Sequence, residues 1–197
     1  MTDDRVFRNA LLVISCTILP VLLYYRIRSQ STGESLDRRQ EGVFILATLR
    51  PIALLAYGGI IAFLIDPAYM TWSAVPLPAA VRWVGVALCA LTGALWIWTF
   101  HQLGLNLTDT VVTRRAHTLV TAGPYRWVRH PFYSCVALFT TGAALVSANW
   151  FVAVTAAVCF ILIVIRTRTE EEHLLARFGP AYDAYRARTG RFFPRLR

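Results

Sequence analysis

The chain contains no lysine: all 20 basic residues are arginine, and only 11 residues are acidic. Charged residues make up 16% of the sequence against 56% hydrophobic, and mean hydropathy is +0.50, a balance that excludes an ordinary soluble domain. Nucleotide fingerprints are missing too. There is no G-x-G-x-x-G, no Walker A loop, no H-E-x-x-H and no G-x-S-x-G elbow, so any nucleotide-like cofactor is held by a non-Rossmann arrangement. The cysteines, Cys16, Cys89, Cys135 and Cys159, lie in apolar stretches without a C-x-x-C pair. They imply no metal or disulfide framework and read as small apolar packers.

What is present is apolar length. Five stretches run over 6–25, 43–65, 83–103, 132–146 and 150–165. A helix needs about 20 residues to cross the hydrocarbon, and ~17 at the least. The first three pass. The last two, joined by only Ser147, Ala148 and Asn149, read as a tight helical hairpin whose ends run on into polar segments. The expected fold is all-α: a polytopic membrane bundle of about five transmembrane helices with a C-terminal interfacial helix beginning near Pro180. The first stretch is expected to be retained. Its apolar core is too long for a signal peptide, Pro20 sits inside it, and no small-residue cleavage site precedes Arg26 and Arg28.

Orientation is read from arginine alone. Arg26, Arg28, Arg38 and Arg39 follow the first stretch, and Arg114, Arg115, Arg126 and Arg129 fill the third loop. Arg166, Arg168, Arg177, Arg186, Arg188, Arg191, Arg195 and Arg197 follow the fifth, whereas the second loop holds only Arg82 and the hairpin turn none. Loops one and three and the C-terminus are therefore expected in the cytoplasm, and the N-terminus outside, although Arg5 and Arg8 pull mildly the other way. The arginine-for-lysine usage reads as bacterial, so the expected location is an inner membrane with the site facing the cytoplasm. A net charge of +9 then fits arginines facing anionic membrane lipids. Because they hug span ends instead of forming a basic domain, nucleic acid is not an expected partner.

No internal repeat or second soluble domain is visible, so 1–197 is expected to form a single integral membrane domain. Pro67, Pro76 and Pro78 break helix between the second and third stretches, where Tyr69 and Trp72 suit an interfacial belt. In the third stretch Gly85, Cys89 and Gly93 form a small-residue ridge that lets another helix approach closely.

Two polar islands interrupt this pattern on what should be the same side. The first runs from Gly123 to Tyr133, with Pro124 and Pro131 holding the chain extended before a helix begins. Tyr125, Trp127, Phe132 and Tyr133 could stack on an adenine or surround a sulfonium, and His130 is a potential donor or switchable base. Taken singly, each is more often an interface anchor than a ligand contact; together, on the same side as the glutamates, they read as a pocket. In the second island Arg166 and Glu170 share a helix face and could form a plain intrahelical ion pair. The run Glu170, Glu171, Glu172 just below an apolar span favours a site instead, because like charges near a bilayer are costly without a ligand or partner to offset them.

His117 to Tyr125, then Arg129-His130-Pro131-x-Tyr133, then Arg166-x-x-x-Glu170-Glu171, Phe178-Gly179-x-x-Tyr182-x-x-Tyr185 and Pro194 together resemble the isoprenylcysteine carboxyl methyltransferases. The phospholipid N-methyltransferases share the arginine-histidine-proline and paired-glutamate pattern. The resemblance covers roughly the C-terminal half, making 1–103 three N-terminal spans and 104–197 the cofactor-binding catalytic half with its helical hairpin and amphipathic tail. It implies a helical membrane methyltransferase using S-adenosylmethionine and a lipophilic substrate. His117, Thr118, Leu119, Val120, Tyr125, His130, Pro131, Phe132 and Tyr133 would line the cofactor site. Glu170, with Glu171, would contact the cofactor, and Arg166 would hold the substrate carboxylate; Arg166 and Glu170 are thus the implied catalytic pair. Cys135 stands where the family often has glycine, and Glu172 extends the glutamate pair.

The chemistry suits these residues. Methyl transfer from a sulfonium to a carboxylate is a direct displacement onto an acceptor already ionised at neutral pH, needing neither a general base nor a metal. The protein must align two reactants and exclude water. Alternatives from the same residues are an amine acceptor, as in the phospholipid N-methyltransferases, or a sterol-type reductase using NADPH. The last of these would need Arg114 and Arg115 for the second nucleotide. A non-enzymatic transporter or scaffold would put a polar residue deep in the bundle, and Arg50 is the candidate unless it snorkels to the rim.

Overall fold

The computed structural model describes residues 2–30, 43–104 and 118–195; Arg38, Arg39, Arg114, Arg115 and Arg197 lie outside them. Among the described residues, six α-helices follow in order: α1 (Thr2–Gln30), α2 (Val43–Ile65), α3 (Ala79–Leu103), α4 (Pro131–Ser147), α5 (Trp150–Phe178) and α6 (Pro180–Arg188). Two short 3-10 segments, Pro67–Ser73 and Gly123–Arg126, precede α3 and α4. Four of the described helices are long and apolar enough to cross a membrane, and α4 is a shorter apolar helix. The chain is an integral membrane protein of the expected all-helical kind.

α4 explains how a helix of 17 residues can belong to such a bundle. At 1.5 Å per residue it is about 25 Å long, short of the ~30 Å hydrocarbon layer. It sits in the middle, with Tyr133, Cys135, Val136, Phe139, Gly142, Ala143 and Val146 all buried against the surrounding helices. Protein, not lipid, covers it. The small-residue ridge of α3 makes this possible. A Cβ at Gly85 would lie 2.8 Å from the Gly142 carbonyl oxygen, and one at Gly142 would lie 2.7 Å from Cys89 Sγ, so both positions require glycine for this approach. The third ridge residue has a different partner: the space beside Gly93 is filled by Ile18 of α1.

The end of the bundle opposite the polar islands is closed by polar clasps. Asn149 accepts from Val152 N–H (3.2 Å) to cap α5, and its amide donates to the Met70 carbonyl (3.1 Å) and Ser73 Oγ (2.8 Å). Ala148, the one described non-glycine residue with positive φ (49°), makes the hairpin turn between α4 and α5. Arg82, in the first turn of α3, is buried. Its Nε donates to the Val146 carbonyl at 2.9 Å, its Nη1 pairs with Asp4 at 2.8 Å, and its guanidinium lies 4.0 Å from the Phe7 ring centroid. That one side chain ties α1, α3 and α4 together. Arg50, by contrast, is exposed on α2.

At 29 residues α5 is about 43 Å long by the same rise, so it outruns the hydrocarbon layer and carries its polar third below it without a break. α6 begins at Pro180, after Gly179 turns the chain with φ 52°.

Gly142→Leu is expected to force α3 and α4 apart and to destabilise the fold by about 1–3 kcal/mol, read as a lowered melting temperature of the detergent-purified protein. Leu91→Ala, on an exposed position of α3, should leave the melting temperature nearly unchanged.

Candidate active site

The first island forms a turn with no slack. Gly123 has φ 59°, and a Cβ there would strike the Gln102 side chain. Trp127 and Val128 donate their amides to the Pro124 carbonyl, both at 3.2 Å, winding the chain tightly before α4. Pro131 then occupies the first turn of α4, where its missing N–H costs nothing.

The second island lies on the inner end of α5, and Tyr133 joins it to the first. Tyr133 Oη donates to Glu170 Oε2 at 2.9 Å and accepts from Arg166 Nη1 at 2.9 Å. A guanidinium, a phenol and a carboxylate are thereby held in line. Phe132 lies edge-on to Tyr133 at 5.4 Å and stacks on Phe100 at 5.7 Å with an interplanar angle of 21°, with Trp96 edge-on to it at 5.9 Å. Tyr125 is buried, and its carbonyl accepts from Tyr185 Oη at 2.7 Å. Burial, and then the nearby Glu170 charge, pushes the Tyr125 hydroxyl well above the usual tyrosine range, so it stays a protonated donor.

The two adjacent glutamates diverge. Successive residues on an α-helix point roughly 100° apart. Glu170 faces Tyr133 and keeps 23% of its side chain exposed, whereas Glu171 is only 6% exposed. Glu171 Oε1 accepts from Arg129 Nε (2.9 Å) and lies 3.2 Å from His130 Nε2, and its Oε2 accepts from Arg191 Nη2 (2.6 Å). His130 is buried between the two, with Nδ1 3.8 Å from Glu170.

Among the residues marked from sequence, Tyr125, His130, Pro131, Phe132, Tyr133, Arg166, Glu170 and Glu171 therefore meet at one end of the bundle. Leu119 and Val120 are half-buried, and Thr118 is exposed, in the extended segment leading to the turn; His117 lies outside the described residues. Cys135 is fully buried in α4. Sequence reasoning missed Arg191, Ser134 and Phe192. Of these, only Ser134, beside the motif residue Tyr133, had a positional signal; the pairing of Arg191 with Glu171 had none.

At one end of a bundle of membrane-crossing helices, a cationic and an anionic side chain are joined through a tyrosine. Residues 80–181 match the family model of the phospholipid methyltransferases, and the chain belongs to that family. It is 33% identical over 126 residues to the nickel-cobalt-cadmium resistance protein NccN of Alcaligenes xylosoxydans xylosoxydans, covering 64% of this chain and 54% of that protein. To the cobalt-zinc-cadmium resistance protein CzcN of Cupriavidus metallidurans it is 36% identical over 129 residues, covering 64% and 53%. Over 92 residues it is 32% identical to the protein-S-isoprenylcysteine O-methyltransferase of Schizosaccharomyces pombe, covering 43% and 37%. The chain thus spans about half or less of the length of these relatives. Its fold matches the solved structure of a eukaryotic intramembrane Ras methyltransferase, isoprenylcysteine carboxyl methyltransferase, with a TM-score of 0.58 at 20% identity, over 92% of this chain and 66% of that one.

Tyr185→Phe removes the bond that holds the turn to α6 and should cost about 1 kcal/mol in stability. Thermal unfolding of the variant beside wild type measures it, and no loss would mean that the bond does not hold the turn.

Proposed function

We propose that the chain is an S-adenosylmethionine-dependent methyltransferase that esterifies a lipophilic carboxylate, of isoprenylcysteine type, at the membrane surface. The observation that carries the reading is the line Arg166–Tyr133–Glu170, with 2.9 Å at each step. Arg166 presents a planar fork suited to a carboxylate. Glu170, partly open beside aromatic rings, suits the ammonium of a cofactor that also carries a sulfonium. When bound, S-adenosylmethionine would supply an electrophilic methyl group, the carbon–sulfur bond giving way to a carbon–oxygen bond to the acceptor. Tyr125, His130, Phe132 and Tyr133, with Thr118 to Val120 and His117, would line its site.

The residues act by placement. Arg166 holds the acceptor carboxylate ionised and oriented, Glu170 fixes the donor, and the Tyr133 hydroxyl sets the distance between them. The aromatic wall from Phe132 to Phe100 and Trp96 keeps water from the path. The substrate's chain would lie among the helices, with bilayer lipid around it. The arginine distribution supports a cytoplasmic position for this end, as for a bacterial inner membrane.

A second reading follows from the family itself: an amine acceptor, as in a phospholipid headgroup. Arg166 disfavours it, because a fixed guanidinium repels an ammonium. Two relatives carry metal-resistance names; among the described residues no group of three or more His, Cys, Asp or Glu is placed to hold an ion.

Calorimetry with S-adenosylhomocysteine and NADPH on the purified protein tests the class. Binding of the first and not the second is expected; tight NADPH binding alone would sink the proposal. Labelled-methyl transfer to N-acetyl-S-farnesylcysteine or to phosphatidylethanolamine then separates the acceptors, with the first expected to be modified. Glu170→Gln should weaken S-adenosylhomocysteine binding roughly tenfold or more, the scale of losing a hydrogen-bonded charge. Arg166→Ala should leave that affinity near wild type and raise KM for the farnesylated acid. Equal loss of cofactor affinity in both variants would contradict the assignment.

A further inference from the structure

We infer that Arg191, in the segment after α6, is a positioning residue for methyl transfer, gripping Glu171 and through it fixing His130 at the start of α4. The inference rests on the methyltransferase reading and deepens it, because it removes Glu171 from the groups that touch the cofactor and gives it a different task.

The segment after α6 does not trail into solvent. Arg129 N–H donates to the Gly190 carbonyl at 2.8 Å, Gly190 N–H donates to the Trp127 carbonyl at 3.0 Å, and His130 N–H donates to the Arg191 carbonyl at 3.0 Å. These bonds lay the tail alongside the turn as a short parallel bridge between Val128 and Gly190. Ser134 Oγ donates to the Phe192 carbonyl at 2.7 Å, and the Phe192 ring packs 5.9 Å from His130 and 5.4 Å from Phe160. Gly190 is required for the path, since a Cβ there would overlap the backbone of Phe193. Arg191 therefore touches both walls of the site, one by its backbone and the other by its side chain.

The side-chain contact has a geometry that charge balance does not explain. Arg129 already neutralises Glu171 through Nε at 2.9 Å. Arg191 adds a second guanidinium, with Nη2 2.6 Å from Oε2 and Nε 3.3 Å from Oε1. Two donors of one rigid fork on the two oxygens of one carboxylate fix the rotation of that carboxylate, which a single bond leaves free. Oε1 is thereby aimed at His130 Nε2, and His130 is held between Glu171 and Glu170 beside the Tyr133 ring, 5.7 Å between centroids. Arg191 reaches the reacting groups only through this chain of contacts.

The same contact is one of three on Glu171, and Arg129 and His130 remain when it is lost. The Arg191 side chain is 35% exposed, so solvent screens it. Its loss is therefore expected to register in binding more than in melting.

The test compares wild type, Arg191→Ala, Arg191→Lys, Glu171→Gln and the Arg191→Ala/Glu171→Gln double variant by S-adenosylhomocysteine calorimetry, melting temperature and steady-state kinetics with N-acetyl-S-farnesylcysteine. Arg191→Ala is expected to raise the S-adenosylhomocysteine Kd and the KM for S-adenosylmethionine roughly ten- to a hundredfold, the scale of a small misplacement of a binding group. The KM for the farnesylated acid should hold. Lysine, which keeps the charge without the fork, should rescue little, and the double variant should be no worse than the poorer single one. Unchanged Kd in Arg191→Ala with only a lower melting temperature overturns the inference, as does full rescue by lysine. Should Arg191→Ala not fold, the lysine variant still decides between fork and charge. Wild type that binds no S-adenosylhomocysteine sinks the functional reading instead, which keeps the two failures distinct.

Discussion

Glu171 sets the arrangement of the whole site end. A carboxylate buried among helices costs several kcal/mol unless donors replace its water. Three side chains supply them here, Arg129 and His130 from the turn before α4 and Arg191 from the tail. They come from two separate stretches of chain, so satisfying one charge draws both the turn and the tail to α5. The turn then has to be tight, which the prolines and Gly123 make possible. The tail has to fold back, which α6 and Gly190 make possible. Glu170, one residue earlier on the helix, is left facing Tyr133 with part of its surface open.

This divides labour between two neighbouring glutamates of the same chemical type. One is enclosed by donors from its own protein and has little capacity left for a ligand. The other meets a phenol and, through it, a guanidinium. The helical twist between consecutive positions is what separates a structural charge from a charge offered to something else. A third glutamate, Glu172, continues around the helix to an exposed position and joins neither group.

Much of the architecture was legible because it is local. Apolar length marks the spans, Pro131 and Pro180 mark helix starts, and Ser147 to Asn149 mark the hairpin turn. The two islands were legible as a pair because charge at a span's end is conspicuous. What sequence did not carry was partnership. The ridge of Gly85, Cys89 and Gly93 has one pattern but meets α4 at two positions and α1 at the third. Arg82 reads as a rim arginine until Asp4, the Val146 carbonyl and the Phe7 face surround it. Arg191 is one of many arginines after the last span, and only the return of the chain after α6 selects it. Hydropathy reports how much surface must be buried; it does not report against what.

α5 is a single uninterrupted helix from its Asn149 cap to Phe178, and it connects the two ends of the molecule like a ruler. The cap is bonded to the segment before α3, so the zero of that ruler is fixed at one membrane face. The depth and bearing of Arg166, Glu170 and Glu171 at the other face then follow from counting turns. One residue inserted anywhere between would rotate every lower side chain by about 100° and lower it by about 1.5 Å. Side chains along the lipid-facing stripe can be exchanged freely, but the number of residues in that helix cannot drift.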